Sequence, residues 1–304
     1  MAYQTGAAST AADLLNQLAT FAAGVGLGWV VLRNALGTYR NIVLQHATAT
    51  DVVFDLQGLA AGASGISVSG ATGWSSGAAY GAQPGAGTSI SIDALPVPWT
   101  AYHFFGTSEY LHVAIEYAAG LYRHLHIGRT DKRGIVYTGG AYYGVVDWTG
   151  VGTSDPYASD GTTSLHNNYF RTTTSRLRVD IDSGVNRWVP FESGGSYPRI
   201  RCNQRWFGSQ AYVMFSRSPN QMSGRAVLGQ LEFQCERPGG LYSPVGVAPD
   251  LRLVNLANYA PGDSITLGTD TWRVFPQVKR EASANSAVYI GTSRLLGYAY
   301  RVVP

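Results

Sequence analysis

Apolar positions along the chain recur first with the period of a helix and then with the period of strands. Leu14, Leu15, Leu18, Phe21 and Ala22 follow i, i+3, i+4 spacing on one face. Ser9 or Thr10 can cap this helix, and Asp13 stands three residues after Thr10, as in a capping box. Gly24 supplies a left-handed stop. The helix is short, with one apolar stripe and few charges. It should therefore dock, either on a sheet of its own chain or on a neighbouring subunit.

After Gly24 the pattern becomes that of strands. Trp29–Arg33, Asn41–His46 and Val52–Leu56 predict three of them. Residues 58–89 are rich in Gly, Ala and Ser. They carry Ile66 and Val68 in alternation, and then almost no large apolar residue except Trp74 and Tyr80, which predicts a long loop or a weak, edge-like excursion. Ser89–Ile92 is a further strand, and Pro96 and Pro98 then break the chain. Trp99–Phe105, Tyr110–Tyr117 and Leu121–Ile127 follow at hairpin spacing, although His112, Ile115 and Tyr117 do not alternate cleanly. Ile135–Tyr137, Ala141–Trp148, Arg176–Asp182, Arg187–Phe191, Tyr212–Phe215 and Ala226–Phe233 continue the series, with a polar surface loop over Thr149–Asn167. Pro238-Gly239-Gly240 is a sharp break. Ser264–Leu267 and Thr271–Phe275 flank Gly268-Thr269-Asp270, a three-residue hairpin loop. Val288–Ile290 and Gly297–Val303 close the chain.

Many short strands, one helix and no βαβ alternation predict a mainly β fold: antiparallel β-sandwiches with one short N-terminal helix. The composition shifts divide it into an N-terminal arm and helix (1–25), a smaller β region with the Gly/Ala/Ser-rich loop (26–95) and a main β-sandwich domain (96–304). No fixed internal period points to a propeller or solenoid.

Composition sharpens this picture. Of 304 residues 37 are Gly and only 13% are charged, while 45% are hydrophobic, which excludes a disordered chain. Lys occurs only at Lys132 and Lys279, too few for a helical bundle, and 19 Tyr and seven Trp favour strands. The net charge of +3, with no uninterrupted basic run, gives no case for nucleic-acid binding. Leu18 to Leu32, the longest nearly apolar run, is interrupted by three glycines and is shorter than the roughly 20 residues of a membrane helix. Met1–Gly6 carries no positive charge to open a secretion signal, so a soluble, cytoplasmically assembled protein is expected. Cys202 and Cys235, the only cysteines, are expected to be reduced buried thiols.

Four constellations have the outline of chemistry. His124 and His126 alternate on a strand and so share a face, which would let both imidazoles reach one ion. With no third ligand indicated beyond a guess at Asp131, the favoured reading is two polar residues on the outward face of a strand. Asp180-Ile181-Asp182-Ser183-Gly184 starts like a calcium loop but lacks its later ligands, and fits a strand ending in a turn. Gly73-Trp74-Ser75-Ser76-Gly77 has the letters of a nucleophile elbow without a following helix. Gly24, Gly26 and Gly28 come after a helix, the wrong order for a dinucleotide site. Tyr137, Tyr142, Tyr143, Trp148 and Tyr157 could form a sugar platform or an interface, or fill a core. No catalytic, cofactor-binding or metal-ligating residue is assigned.

Several segments together resemble a known family. Met1-Ala2-Tyr3-Gln4-Thr5-Gly6 with the helix Asp13–Ala22 and Trp29, the stretch Tyr122-Arg123-His124-Leu125-His126-Ile127-Gly128 followed by Tyr137-Thr138-Gly139-Gly140, and the ending Pro261-Gly262-Asp263, Trp272-Arg273-Val274-Phe275-Pro276 and Gly297-Tyr298-Ala299-Tyr300-Arg301 resemble virion structural proteins of tailed bacteriophages. Residues 58–89 match nothing in that family. The resemblance implies a ring-forming component of the neck (collar), tail or baseplate, located in the virion. Its expected partners are copies of itself and other virion proteins, with no substrate, nucleic acid or membrane. It implies no enzyme activity and no cofactor. Met1–Ala8, small and polar, is expected to lack order unless a partner supplies it, and to reach onto an adjacent subunit. The competing expectation is a glycan-binding or cell-wall-degrading tail protein.

Overall fold

Thr10 begins the helix. Its side chain accepts the backbone N–H of Asp13 at 3.0 Å, and the Asp13 carboxylate accepts the N–H of Ser9 at 2.9 Å. This is a capping box displaced by one residue, because the carboxylate reaches back beyond Thr10. The helix α1 (Ala11–Ala22) buries Leu14, Leu15 and Leu18 completely, each worth about 1.5–3 kcal/mol relative to exposure. Gly24 is not the left-handed terminator. The positive φ angles are at Gly26 (84°) and Gly28 (66°), and Gly24 is needed because a Cβ there would lie 2.8 Å from the Phe21 carbonyl.

The computed structural model describes residues 1–62, 64–134, 137–146, 175–180, 187–190, 200–202, 228–237, 240–277, 279–280 and 296–303. Within these residues the chain is mainly β, with three open antiparallel sheets packed in sandwich fashion and one helix. The central sheet runs in the order β1 (Ala2–Ala8), β7 (Trp99–Gly106), β8 (Tyr110–Ala118), β9 (Leu121–Arg129), β11 (Thr138–Val146), β12 (Ser175–Asp180) and β13 (Arg187–Pro190). The second sheet is a meander of β2 (Trp29–Leu36), β3 (Tyr39–His46), β4 (Val53–Leu59), β5 (Ser64–Ala71) and β6 (Ile90–Leu95). The third runs β14 (Ile200–Cys202), β15 (Gly229–Arg237), β16 (Leu241–Asn255), β19 (Leu296–Val303), β18 (Asp270–Pro276) and β17 (Ser264–Leu267), with β10 (Asp131–Lys132) paired to β16.

The central strands β8 and β9 are buried on both faces over most of their length, and their side chains sort by the pleat. Phe104, Leu111, Val113, Ile115, Leu125, Ile127 and Tyr143 join α1 and the second sheet in one apolar cluster. Their neighbours Phe105, Ala114, Tyr122 and Tyr142 join Phe233, Leu251, Phe275, Tyr298 and Tyr300 of the third sheet in another. Burial on both faces explains why β8 does not alternate between apolar and polar residues. The first cluster contains residues from both sides of Pro96–Pro98.

Met1–Ala8 is corrected: it is not an arm waiting for a partner. It pairs in β1 with β7 of its own chain, Tyr3 opposite Phe105 and Thr5 opposite His103. Gln17 of α1 donates to the Ala7 carbonyl and accepts the Tyr102 hydroxyl, tying helix, arm and sheet together. The loop after β17 is also shorter than expected. Leu267 pairs with Asp270, which leaves a two-residue turn with Gly268 at φ 64°. Tyr212–Phe215, Val288–Ile290 and the loop Thr149–Asn167 lie outside the described residues.

Part of the loop expected over 58–89 is instead an interior strand, β5, paired with β4 and β6 because Ile66 and Val68 are buried; the rest, between β5 and β6, covers the outer face of the second sheet, where Val43, Val53 and Ala71 meet Leu32, Trp74 and Ala86. Polar side chains hold it there. Arg33 donates to the carbonyls of Ala78 (2.9 Å) and Ser76 (2.7 Å) and lies over the Trp74 ring. Asp55, fully buried, accepts the Gly81 N–H at 2.9 Å.

Candidate functional site

The pleat turns alternate residues of β7, β8 and β9 toward the third sheet, and at those positions the sequence places His103, His112, His124 and His126. His112 lies directly opposite His126, their ring centroids 4.7 Å apart. His112, His124 and His126 are fully buried. The outward-facing reading of His124 and His126 is therefore corrected. They do share a face, but that face is an interior, because a second layer covers it.

Hydrogen-bond geometry fixes the protons. His124 Nε2 is 2.8 Å from the Pro276 carbonyl, which can only accept, so Nε2 carries the proton. The neutral ring then accepts at Nδ1, where the Tyr300 hydroxyl donates. With its own hydrogen directed at His124, the Tyr300 oxygen accepts from His126 Nε2 at 2.9 Å. The result is a one-way relay, His126 to Tyr300 to His124 to the backbone of β18. His112 Nε2 meets the Tyr142 hydroxyl at 3.0 Å. At one margin Arg273 donates to the Tyr3 hydroxyl (2.8 Å), which in turn lies 2.9 Å from His103 Nδ1. Phe105 stacks on Tyr300 with centroids 4.5 Å apart.

The electrostatics agree with neutral rings. Burial holds His124 down to about 3, and the nearby Arg123 cation opposes protonation further. Burial and then the Arg273 guanidinium hold His103 at about 4. Burial alone lowers His112, while for His126 it acts together with the neighbouring His112 and His124. Burial also pushes the hydroxyls of Tyr142 and Tyr300 well above the usual phenol range. At the other margin the Tyr110 hydroxyl donates to Asp250 at 2.9 Å. Asp250 is the one described non-glycine residue at positive φ (50°), set in a bulge of β16, and its carboxylate also pairs with Arg301.

This arrangement is suited to joining two sheets through neutral imidazoles, with His124 and His126 each held in one tautomer. Among the described residues, no group of three His, Cys, Asp or Glu side chains is placed to hold a metal ion. Asp131 lies on β10, exposed, paired with Arg133. Ser75 sits in the loop over the second sheet, with no helix after it, and its N–H donates to Gln83. Asp180 ends β12, and Asp182 lies outside the described residues. Tyr137, Tyr142 and Tyr143 are buried core residues, and Trp148 and Tyr157 lie outside the described residues. Cys235 is a buried free thiol, and the backbone of Cys202 pairs opposite Phe233. His103, His112, Tyr298 and Tyr300 were not singled out as a group. The signal for them was present in the alternation His103/Phe105, His124/His126 and Tyr298/Tyr300, which places aromatic rings at every second position of three strands. Among the described residues no helix is long and apolar enough to cross a membrane. Comparison with protein-family models and with curated proteins found no match.

Proposed function

We propose that the chain is a structural component of a tailed-bacteriophage virion, part of a ring in the neck (collar) or in the tail or baseplate. The observation that carries this reading is the ordered set of segments that resemble that family. Where these segments lie supports it. Met1–Gly6 forms most of β1, Tyr122–Gly128 lies in β9, Trp272–Pro276 in β18 and Gly297–Arg301 in β19. They meet around Tyr3, His103, His124, Phe275 and Tyr300. The residues behind the resemblance thus join layers rather than line a cleft, as suits a protein whose work is mechanical. With the N-terminal strand paired inside its own chain, lateral contacts would fall to the open sheet edges, where β2 displays Val30 and Leu36 and β17 displays Leu267.

The test is to purify intact particles and establish whether this chain is a stoichiometric component. Ring copy number and neighbours would be read from an image reconstruction. Absence from particles overturns the proposal. So does release of reducing ends or peptides from host envelope by the purified protein, if that activity is lost in Asp180→Asn or Ser75→Ala.

A further inference from the structure

The two interfaces of the central sheet differ in one chemical respect. The face toward the third sheet holds His103, His112, His124 and His126. On the face toward α1 and the second sheet the only described imidazole is His46, at the end of β3, where it packs against Trp29. His46 Nδ1 takes the N–H groups of Thr48 (3.2 Å) and Ala49 (3.0 Å), and its Nε2 lies 3.6 Å from the Glu109 carboxylate.

We propose that the third sheet is an acid-releasable layer: proton uptake by His112, His124 and His126 parts β18 and β19 from β8 and β9, while α1 and the second sheet stay packed on the opposite face.

The relay carries the argument. A proton added at His124 Nδ1 would turn that atom into a donor facing the Tyr300 hydroxyl, which already accepts from His126. Tyr300 would face two donors and have no acceptor for its own hydrogen, so the link across the sheets fails at its centre. A charge on His112 or His126 stands 4.7 Å, ring to ring, from the other, so successive protonation in the closed state is opposed. Among the described residues, no unengaged carboxylate faces His112 or His124. From the central sheet they are faced by His103, Tyr110, Tyr122, Arg123 and Tyr142, and from the third sheet by Arg273, Tyr298, Tyr300, Arg301 and Asp250, with Tyr3 at the margin. The carboxylate of this set, Asp250, is engaged by Tyr110 and Arg301. Outside it Glu116 is taken by the Gly120 N–H and Tyr122. Water, reached by opening, is where the charge can go.

Each buried imidazole that must charge on opening multiplies the open-to-closed ratio by about ten per pH unit below its ordinary value of 6.5 and above its value in the closed state. The three fully buried rings give up to about a thousandfold per unit, and His103, packed on Phe275 of β18 and held at about 4, adds up to another tenfold. The experiment is hydrogen exchange of the full chain, read by mass spectrometry from pH 7.5 to 4.5, with each rate divided by the intrinsic rate at that pH. Protection in β16, β18 and β19 is expected to fall steeply with acid, while α1, β3 and β4 keep theirs. His112→Phe preserves a ring in the stack and removes one titrating group, and should reduce the dependence by about tenfold per unit. Loss of protection throughout the chain in one step, prior loss in the second sheet, unchanged protection of β18 and β19 at pH 4.5, or an unchanged slope in His112→Phe would each overturn the proposal.

Discussion

Replacing Asp55 with alanine should free the segment that covers the second sheet and cost about 2–4 kcal/mol of stability. Asp55 is fully buried on β4 and accepts hydrogen bonds from Asn41 Nδ2 and from the Gly81 N–H. Asn41 in turn accepts from Arg33 at 2.8 Å, and Arg33 holds the carbonyls of Ser76 and Ala78. Two hydrogen bonds to a charged acceptor contribute about 1.5–3 kcal/mol each, and the loss falls short of their sum because alanine also removes the cost of a buried carboxylate. That cost is visible in titration. Burial raises the Asp55 carboxyl above 3.8, outweighing the Asn41 and Gly81 hydrogen bonds and the Arg33 charge. The folded state therefore holds this proton more tightly than the unfolded state does, and the contribution of Asp55 falls as pH rises from the ordinary carboxyl range through the raised one. The stability gap between wild type and Asp55→Ala should shrink over that window and be constant above it. Urea unfolding followed by tryptophan fluorescence measures the gap. Chymotrypsin reads the loop, since Trp74 and Tyr80 are its aromatic sites there. A variant within about 0.5 kcal/mol of wild type, cut no faster at Trp74 or Tyr80, would refute the idea that this network pins the segment.

Other perturbations test the layers. Gly70→Ala would set a Cβ 2.3 Å from the Trp188 ring and 2.7 Å from Tyr143, so a loss of about 1–3 kcal/mol is expected in thermal or urea unfolding. Tyr300→Phe removes the hydroxyl between His124 and His126 and should cost about 1–3 kcal/mol by urea unfolding, because buried nitrogens lose their bridge. Deleting residues 1–8 strips β1 from β7 and removes the Tyr3 links to His103 and Arg273. Faster amide exchange in β7, with α1 still protected, is the expected result.

The elements that were legible in the sequence carry their signal locally. Thr10 and Asp13 mark a helix start whatever lies around them, and the hairpins β3–β4 and β7–β8 are short-range pairings. β1 was illegible because Ala2–Ala8 has no apolar period. Its place is set by Tyr3 and Thr5 meeting a strand about a hundred residues away. β16 was hidden by Pro244 and Pro249 and by its bulge at Asp250, features that argue against a strand locally and are tolerated because β15, β10 and β19 pair with its different stretches. The fixing of the Gly/Ala/Ser-rich segment was illegible for a third reason. Its own residues carry little packing information, and the groups that hold it, Arg33 and Asp55, belong to strands far away in sequence.

The histidines show why sequence alone misjudged the central layer. Polar residues at alternate positions of a strand normally mean water on that side, and His124 and His126 fit that rule. The rule assumes one buried face. When a sheet is covered on both sides, the residues that look outward must satisfy their hydrogen bonds inside. An imidazole and a phenol can do so for each other because each is at once donor and acceptor, which Lys, Arg, Asp and Glu in their charged forms are not. A three-layer chain has two such interiors and correspondingly less surface that calls for charge. The low charged fraction and the many tyrosines then share one cause. Tyr142, Tyr298 and Tyr300 are fully buried, and the hydroxyls of Tyr142 and Tyr300 meet the imidazoles of the central strands. The same pairing makes this interior sensitive to acid, because a donor–acceptor match built from neutral imidazoles holds only while they stay neutral.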